Sequence, residues 1–120
     1  MKKKKILIVD DDPSIRLLLQ ARLMNNGYDV IMATNGEECI RHCTNQQPDL
    51  IILDVKMPKM DGWTCLHELR QTQQGKSVPI LMATAQSNLQ DSFEAEGIAG
   101  FVTKPYNPTL LIEQIAKILA

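Results

Sequence analysis

The chain has 120 residues, 13 Lys plus Arg against 14 Asp plus Glu for a net charge of -1, and 44% apolar residues; this suits one hydrophobic core and leaves no room for two. Charge so close to neutral, with only a short lysine run at residues 2–5, supplies no extended positive field and excludes a nucleic-acid-binding module for this chain. No apolar run approaches the roughly 20 residues that span a bilayer and no signal-peptide pattern is present, while the three cysteines, Cys39, Cys43 and Cys65, suit reduced thiols in a cytoplasm.

In chain order, the apolar run 6–9 predicts a first strand. Asp12 with Pro13 behind it is a helix N-cap, and Ile15, Leu18, Leu19 and Leu23 form the apolar stripe of a first helix that Gly27 stops. Residues 30–32 predict the second strand, and Asn35 with Glu38 has the capping-box spacing that opens a second helix. After a third strand at 50–53, Asp61 and Gly62 open a helix with Trp63, Leu66 and Leu69 on one face. A fourth strand at 80–83 leads to a fourth helix, with Ser87 and Gln90 as its cap pair and Gly97 as its stop; a fifth strand at 101–102 leads to a last helix capped by Asn107 and Pro108.

Continuously apolar strands are covered on both faces, as in a parallel sheet. Strand–helix alternation therefore predicts a flavodoxin-like, doubly wound (βα)5 fold: a three-layer sandwich with a parallel five-stranded sheet in the order 2-1-3-4-5, formed by a single domain over residues 1–120. Ligands of such sheets bind at the carboxyl ends of the strands flanking the switch point, here the first and third.

Polar residues follow four of the strands: Asp10 and Asp11, Asp54, Thr84 and Lys104. Three carboxylates brought together repel one another unless a cation lies among them, and oxygen donors without His or Cys suit Mg²⁺, for which Mn²⁺ can substitute. Such an ion neutralises charge in an in-line phosphoryl transfer. Lys104 is then a point charge for a phosphate oxygen, Thr84 a hydroxyl donor to another, and Asp54, isolated on the middle strand, the nucleophile.

These residues resemble the receiver domain of two-component response regulators, in particular the chemotaxis-regulator type, across essentially the whole chain. The resemblance is carried by the Asp10-Asp11 pair, by Leu53-Asp54-Val55-Lys56-Met57-Pro58-Lys59-Met60-Asp61-Gly62, by Met82-Ala83-Thr84-Ala85 and by Lys104-Pro105. It implies that Asp54 accepts a phosphoryl group from the phosphohistidine of a histidine kinase or histidine phosphotransfer protein. By the same resemblance, Asp11, Asp54 and the backbone carbonyl of Lys56 ligate Mg²⁺ directly, Asp10 holds a metal-bound water, and the Lys104-Pro105 peptide is cis. Thr84 and Phe101 would form a two-state switch that remodels the surface of the fourth helix, fifth strand and last helix. That surface would address a downstream protein, a missing output domain or a second copy of the chain.

Capping explains Asp12 but not the adjacent pair Asp10 and Asp11; Phe101 would by default be core, and Cys39, Cys43 and His42 are too few for a structural zinc site. Leu111, Ile115 and Ile118 pack on the sheet, with Leu110, Ile112 and Leu119 widening the apolar face beyond what one side needs, so that part of it is expected to contact a partner or a second copy. A phosphatase resembling the haloacid dehalogenase superfamily would use Asp10 and Asp12, but would leave the Asp54 loop without a role. A docking-only module would not need the full set of site residues. The expected protein is a cytoplasmic switch rather than a turnover enzyme, assisting its own phosphorylation and dephosphorylation, with Lys56 and Gln86 obstructing the path of an attacking water.

Overall fold

The computed structural model describes residues 3–57, 60–84 and 98–120. Five strands, β1 (Lys5–Val9), β2 (Asp29–Ala33), β3 (Leu50–Asp54), β4 (Ile80–Thr84) and β5 (Gly100–Thr103), form one parallel sheet in the order β2-β1-β3-β4-β5. Among the described residues the helices are α1 (Pro13–Asn25), α2 (Gly36–Gln46), α3 (Gly62–Leu69) and α4 (Pro108–Leu119). The helix expected between Ser87 and Gly97, like Pro58, Ala85 and Gln86, lies outside the described residues.

Period-two alternation divides each central strand between two cores. Leu7 and Val9, Ile51 and Leu53, and Ile80 and Met82 face a layer that includes Cys39 and Cys43 of α2 and Cys65, Leu66 and Leu69 of α3. Ile6 and Ile8, Leu50 and Ile52, and Leu81 and Ala83 face Leu19 and Leu23 of α1 and Leu111 and Ile115 of α4. Both sheet faces are thus covered, which is why these strands read as unbroken apolar runs. The edge strand β2 is only partly buried apart from Ala33.

The caps follow the side-chain chemistry at each helix start. Asp12, Asn35, Asp61 and Asn107 accept backbone N–H bonds from Ser14, Glu38, Thr64 and Leu110. Gly27, at φ 89°, follows the end of α1 in the left-handed conformation that glycine adopts without strain.

The sequence expectation for α1 needs correction. Leu18 is 51% exposed, so the stripe of α1 that packs on the core is buried Leu19 and Leu23 with partly buried Ile15; at 100° per residue Leu18 turns out of a face centred on Leu19. On α4, Ile112 and Leu119 pack against the core, leaving Leu110, 57% exposed, as the large apolar side chain that faces outward.

The Asn35–Glu38 pair is also not a reciprocal capping box. Glu38 Oε1 accepts from the Thr34 amide at 2.7 Å and the Thr34 hydroxyl at 2.9 Å, one residue before the cap. The amide bond first, then the hydroxyl, hold the Glu38 carboxyl below its usual value of 4.5, outweighing burial. A carboxyl depressed in the folded state contributes stability above its unfolded value, which is lost as pH falls through the folded one. Glu38→Gln keeps an oxygen that can accept both bonds and loses only their charge assistance on a solvent-screened group, so it should lower stability at pH 7 by about 0.5 kcal/mol, with the difference from the parent shrinking on acidification, as measured by urea unfolding across a pH series.

Candidate functional site

Register brings the polar strand ends together. Val9 pairs with Leu53, so Asp10, the next residue beyond β1, stands beside Asp54, the last of β3. Asp10 continues the parity of Ile6 and Ile8, and Asp54 that of Leu50 and Ile52, so both carboxylates fall on the α1 side of the sheet. Thr84 pairs with Thr103, which puts Lys104 immediately beyond the end of β5.

Asp10 and Asp54 are 1% and 5% exposed, and Thr84 is also buried. Lys104 Nζ donates to Asp10 Oδ2 and to Asp54 Oδ2, each at 2.9 Å, forming one cation shared between two buried anions. The Lys104-Pro105 peptide is cis, as expected, and the Lys104 amide bonds the Thr84 carbonyl at 2.7 Å. Asp54 Oδ1 accepts from the Lys56 amide at 3.3 Å, and Asp10 Oδ1 from the Asp12 amide at 2.9 Å. Exposed Asp11 completes the acidic group: carboxylate oxygens of Asp10, Asp11 and Asp54 lie within 4.8 Å of one another. A cleft of about 380 Å³ opens over them, lined also by Asp12, Ile15, Lys56, Thr84 and Lys104.

The charges are not balanced. Burial pushes the Asp54 carboxyl up, the Lys104 hydrogen bond opposes this, and the neighbouring Asp10 charge adds to the rise. Burial works against the charged Lys104, but its bonds to Asp10 and Asp54 outweigh that cost and hold its ammonium above the usual range. Asp10, Asp11, Asp12 and Asp54 against Lys56 and Lys104 leave net negative charge in a cleft of hard oxygen donors, which fits a small divalent cation such as Mg²⁺.

The sequence-predicted residues Asp10, Asp11, Asp54, Lys56, Thr84 and Lys104 therefore line one cleft. Phe101 does not; it is half-buried on β5, packed against the α2–α3 core and lining a separate groove with Tyr106, Leu110 and Gln114. Cys39, Cys43 and Cys65 are buried free thiols, and His67 is exposed beside Gln71. One residue missed in the sequence is Arg16, whose Nη1 donates to the Asp10 backbone carbonyl at 2.7 Å. Its only sequence signal is an arginine one turn into the helix that follows the acidic strand end.

A doubly wound sheet with carboxylates gathered at its switch point places the chain among α/β proteins whose chemistry lies at the ends of the central strands. More closely, the chain belongs to the response regulator receiver domain family, whose profile it matches over residues 6–116. It is 40% identical over 121 residues to the probable transcriptional regulator ycf27 of Porphyridium aerugineum, covering 99% of this chain and 49% of that protein. It is also 43% identical over 118 residues to the alkaline phosphatase synthesis transcriptional regulatory protein PhoP of Bacillus subtilis, covering 97% and 48%. The chain thus spans about half the length of these relatives.

Among solved structures, the chemotaxis protein CheY4 of Vibrio cholerae superposes with a TM-score of 0.91 at 34% identity, over 98% of this chain and 100% of that one. A receiver domain of a sensor histidine kinase from Pseudomonas aeruginosa, solved with a magnesium ion coordinated in its active-site cleft, gives a TM-score of 0.88 at 28% identity, over 98% of each chain. The protein is accordingly a receiver domain of a two-component response regulator, a class of signalling switches. Among the described residues no helix is long and apolar enough to cross a membrane.

Proposed function

We propose that residues 1–120 act as one receiver unit in which Asp54 is the phosphoryl acceptor of a Mg²⁺-dependent switch. The observation that carries this reading is the Lys104 ammonium held 2.9 Å from both Asp10 and Asp54, beside a third carboxylate. An oxygen of Asp54 attacks the phosphorus of a phosphohistidine on a kinase or phosphotransfer partner; the P–O bond forms, the P–N bond breaks, and the imidazole leaves as a neutral ring once protonated. Lys104 and Thr84 then bind phosphoryl oxygens, Lys104 exchanging its ion pairs of the resting cleft for charge-assisted bonds to the new group.

Asp10, Asp11, Asp54 and the Lys56 carbonyl are the groups that would hold Mg²⁺, which supplies charge neutralisation for the transferring group. Burial of Asp10 and Asp54 keeps bulk water from competing for their oxygens. Because the new bonds exist only in the phosphorylated form, they bias a two-state equilibrium. Thr84 and Phe101 are the switch residues in this reading, and the β5–α4 face is the described part of the surface that reports the state to a downstream protein, an attached output domain or a second copy.

Intact-mass measurement after incubation with acetyl phosphate and Mg²⁺ tests the assignment. A gain of about 80 Da, abolished by chelator and mapped to Asp54 by borohydride reduction and peptide sequencing, is the expected result. No gain on a folded chain would overturn it, and an adduct on Asp10 would replace it with phosphatase-like chemistry.

A further inference from the structure

We propose that Arg16 is a positioning residue for the cleft: its guanidinium holds the peptide that joins Asp10 to Asp11 and thereby aims the Asp11 carboxylate at the cation site. This rests on the reading of the cleft as a divalent-cation site. Arg16 lies in the first turn of α1, its amide bonded to the Asp12 carbonyl at 3.1 Å. Its side chain turns back toward the end of β1, where Nη1 donates to the Asp10 carbonyl at 2.7 Å. With carboxylates nearby, this always-charged group bonds a neutral carbonyl, and the ion pairs of the cleft belong to Lys104.

The consequence falls on Asp11. Asp10 is held at its amide by Ala33, at Oδ1 by Asp12 and at Oδ2 by Lys104. The exposed Asp11 carboxylate has no such partner among the described residues, although its oxygen lies within 4.8 Å of those of Asp10 and Asp54. Its direction therefore depends on the orientation of the Asp10–Asp11 peptide, whose carbonyl oxygen is the atom that Arg16 holds. An outer partner of this kind restricts a metal ligand without touching the metal.

Electrostatics predicts the opposite sign. If Arg16 acted only as a positive charge near an acidic cleft, its removal would strengthen binding of a divalent cation. If it only braced α1, its loss would lower the melting temperature and leave cation affinity unchanged.

Calorimetric titration of the metal-free chain with Mg²⁺ separates these cases for the parent, Arg16→Met and Arg16→Lys. Positioning predicts that Arg16→Met weakens Mg²⁺ binding by about tenfold, with circular dichroism unchanged, and that Arg16→Lys recovers part of the affinity. Acetyl phosphate should then label Arg16→Met more slowly than the parent at limiting Mg²⁺ and equally fast at saturating Mg²⁺. Affinity equal to or tighter than the parent's in both folded variants overturns the role of Arg16 while leaving the cation site standing. A parent chain that binds no Mg²⁺ overturns both. Should Arg16→Met fail to fold, Arg16→Lys decides alone, by weaker binding or by affinity equal to the parent's.

Discussion

Asp54→Asn should melt at a higher temperature than the parent at pH 7 in chelator, while accepting no phosphoryl group. The carboxamide has nearly the same shape, and its oxygen still accepts from Lys104, but it is not a nucleophile. The gain comes from the cost of ionising Asp54 in place: burial, aided by the Asp10 charge, raises its carboxyl despite the bond from Lys104. With the folded value above the unfolded one, the two states bind protons equally at low pH. As pH rises the unfolded chain ionises first, and the full penalty stands once pH exceeds the folded value. The melting difference should therefore be present at neutral pH and close on acidification.

A rise on the order of 5 °C corresponds to about 1 kcal/mol in a domain of this size. Mg²⁺ should narrow the gap, because it stabilises the folded parent by mass action and the variant has lost one of three carboxylates. Scanning calorimetry of both proteins at pH 4 and 7, with chelator and with Mg²⁺, reads all of these terms. A variant that melts below the parent at pH 7 in chelator would show that the Lys104 bond outweighs the burial of the charge. The expected opposition, stability gained where the reaction is lost, is that of a site built from mutually repelling charges.

Much of this site is legible because the sheet places it. A strand covered on both faces must read as a continuous apolar run, so the first polar residue beyond each run marks the carboxyl edge. Asp10, Asp54 and Thr84 are found that way, Lys104 lies one residue past Thr103, and the order of the strands brings them together. What was not legible depends on direction rather than residue type. Leu18 and Leu19 are chemically identical neighbours on α1, yet one is exposed and the other buried, because 100° of rotation separates them. Glu38 has the spacing to reach back to Asn35, but the extended backbone of Asn35, at φ -157° and ψ 176°, accompanies a carboxylate bonded to Thr34 instead. Arg16 reaches a carbonyl six residues earlier, and a backbone acceptor has no residue type by which a sequence could announce it.

Gly62 shows the same limit from the other side, since the sequence marks it only as punctuation before α3. Its amide donates to the Val55 carbonyl at 2.8 Å, drawing the start of α3 against the end of β3. A Cβ at this position would lie 2.5 Å from the Asp54 carbonyl oxygen and 2.8 Å from Val55 Cα. Both neighbours are backbone, so no side chain can rotate away; either α3 lifts from the sheet or the peptide carrying Asp54 tilts. Gly62→Ala should cost about 2–3 kcal/mol, a fall in melting temperature of roughly 10 °C, and should also reduce the rate of labelling by acetyl phosphate at fixed Mg²⁺. Gly27→Ala is the control: it adds a methyl with nothing within 4 Å, so its cost arises from the positive φ alone and should be about 1 kcal/mol, with labelling unchanged. Thermal melts and labelling rates of the two variants distinguish a packing contact that bears on Asp54 from a turn that does not. Equal melting temperatures for Gly62→Ala and the parent would mean that the loop accommodates the methyl without moving the acceptor.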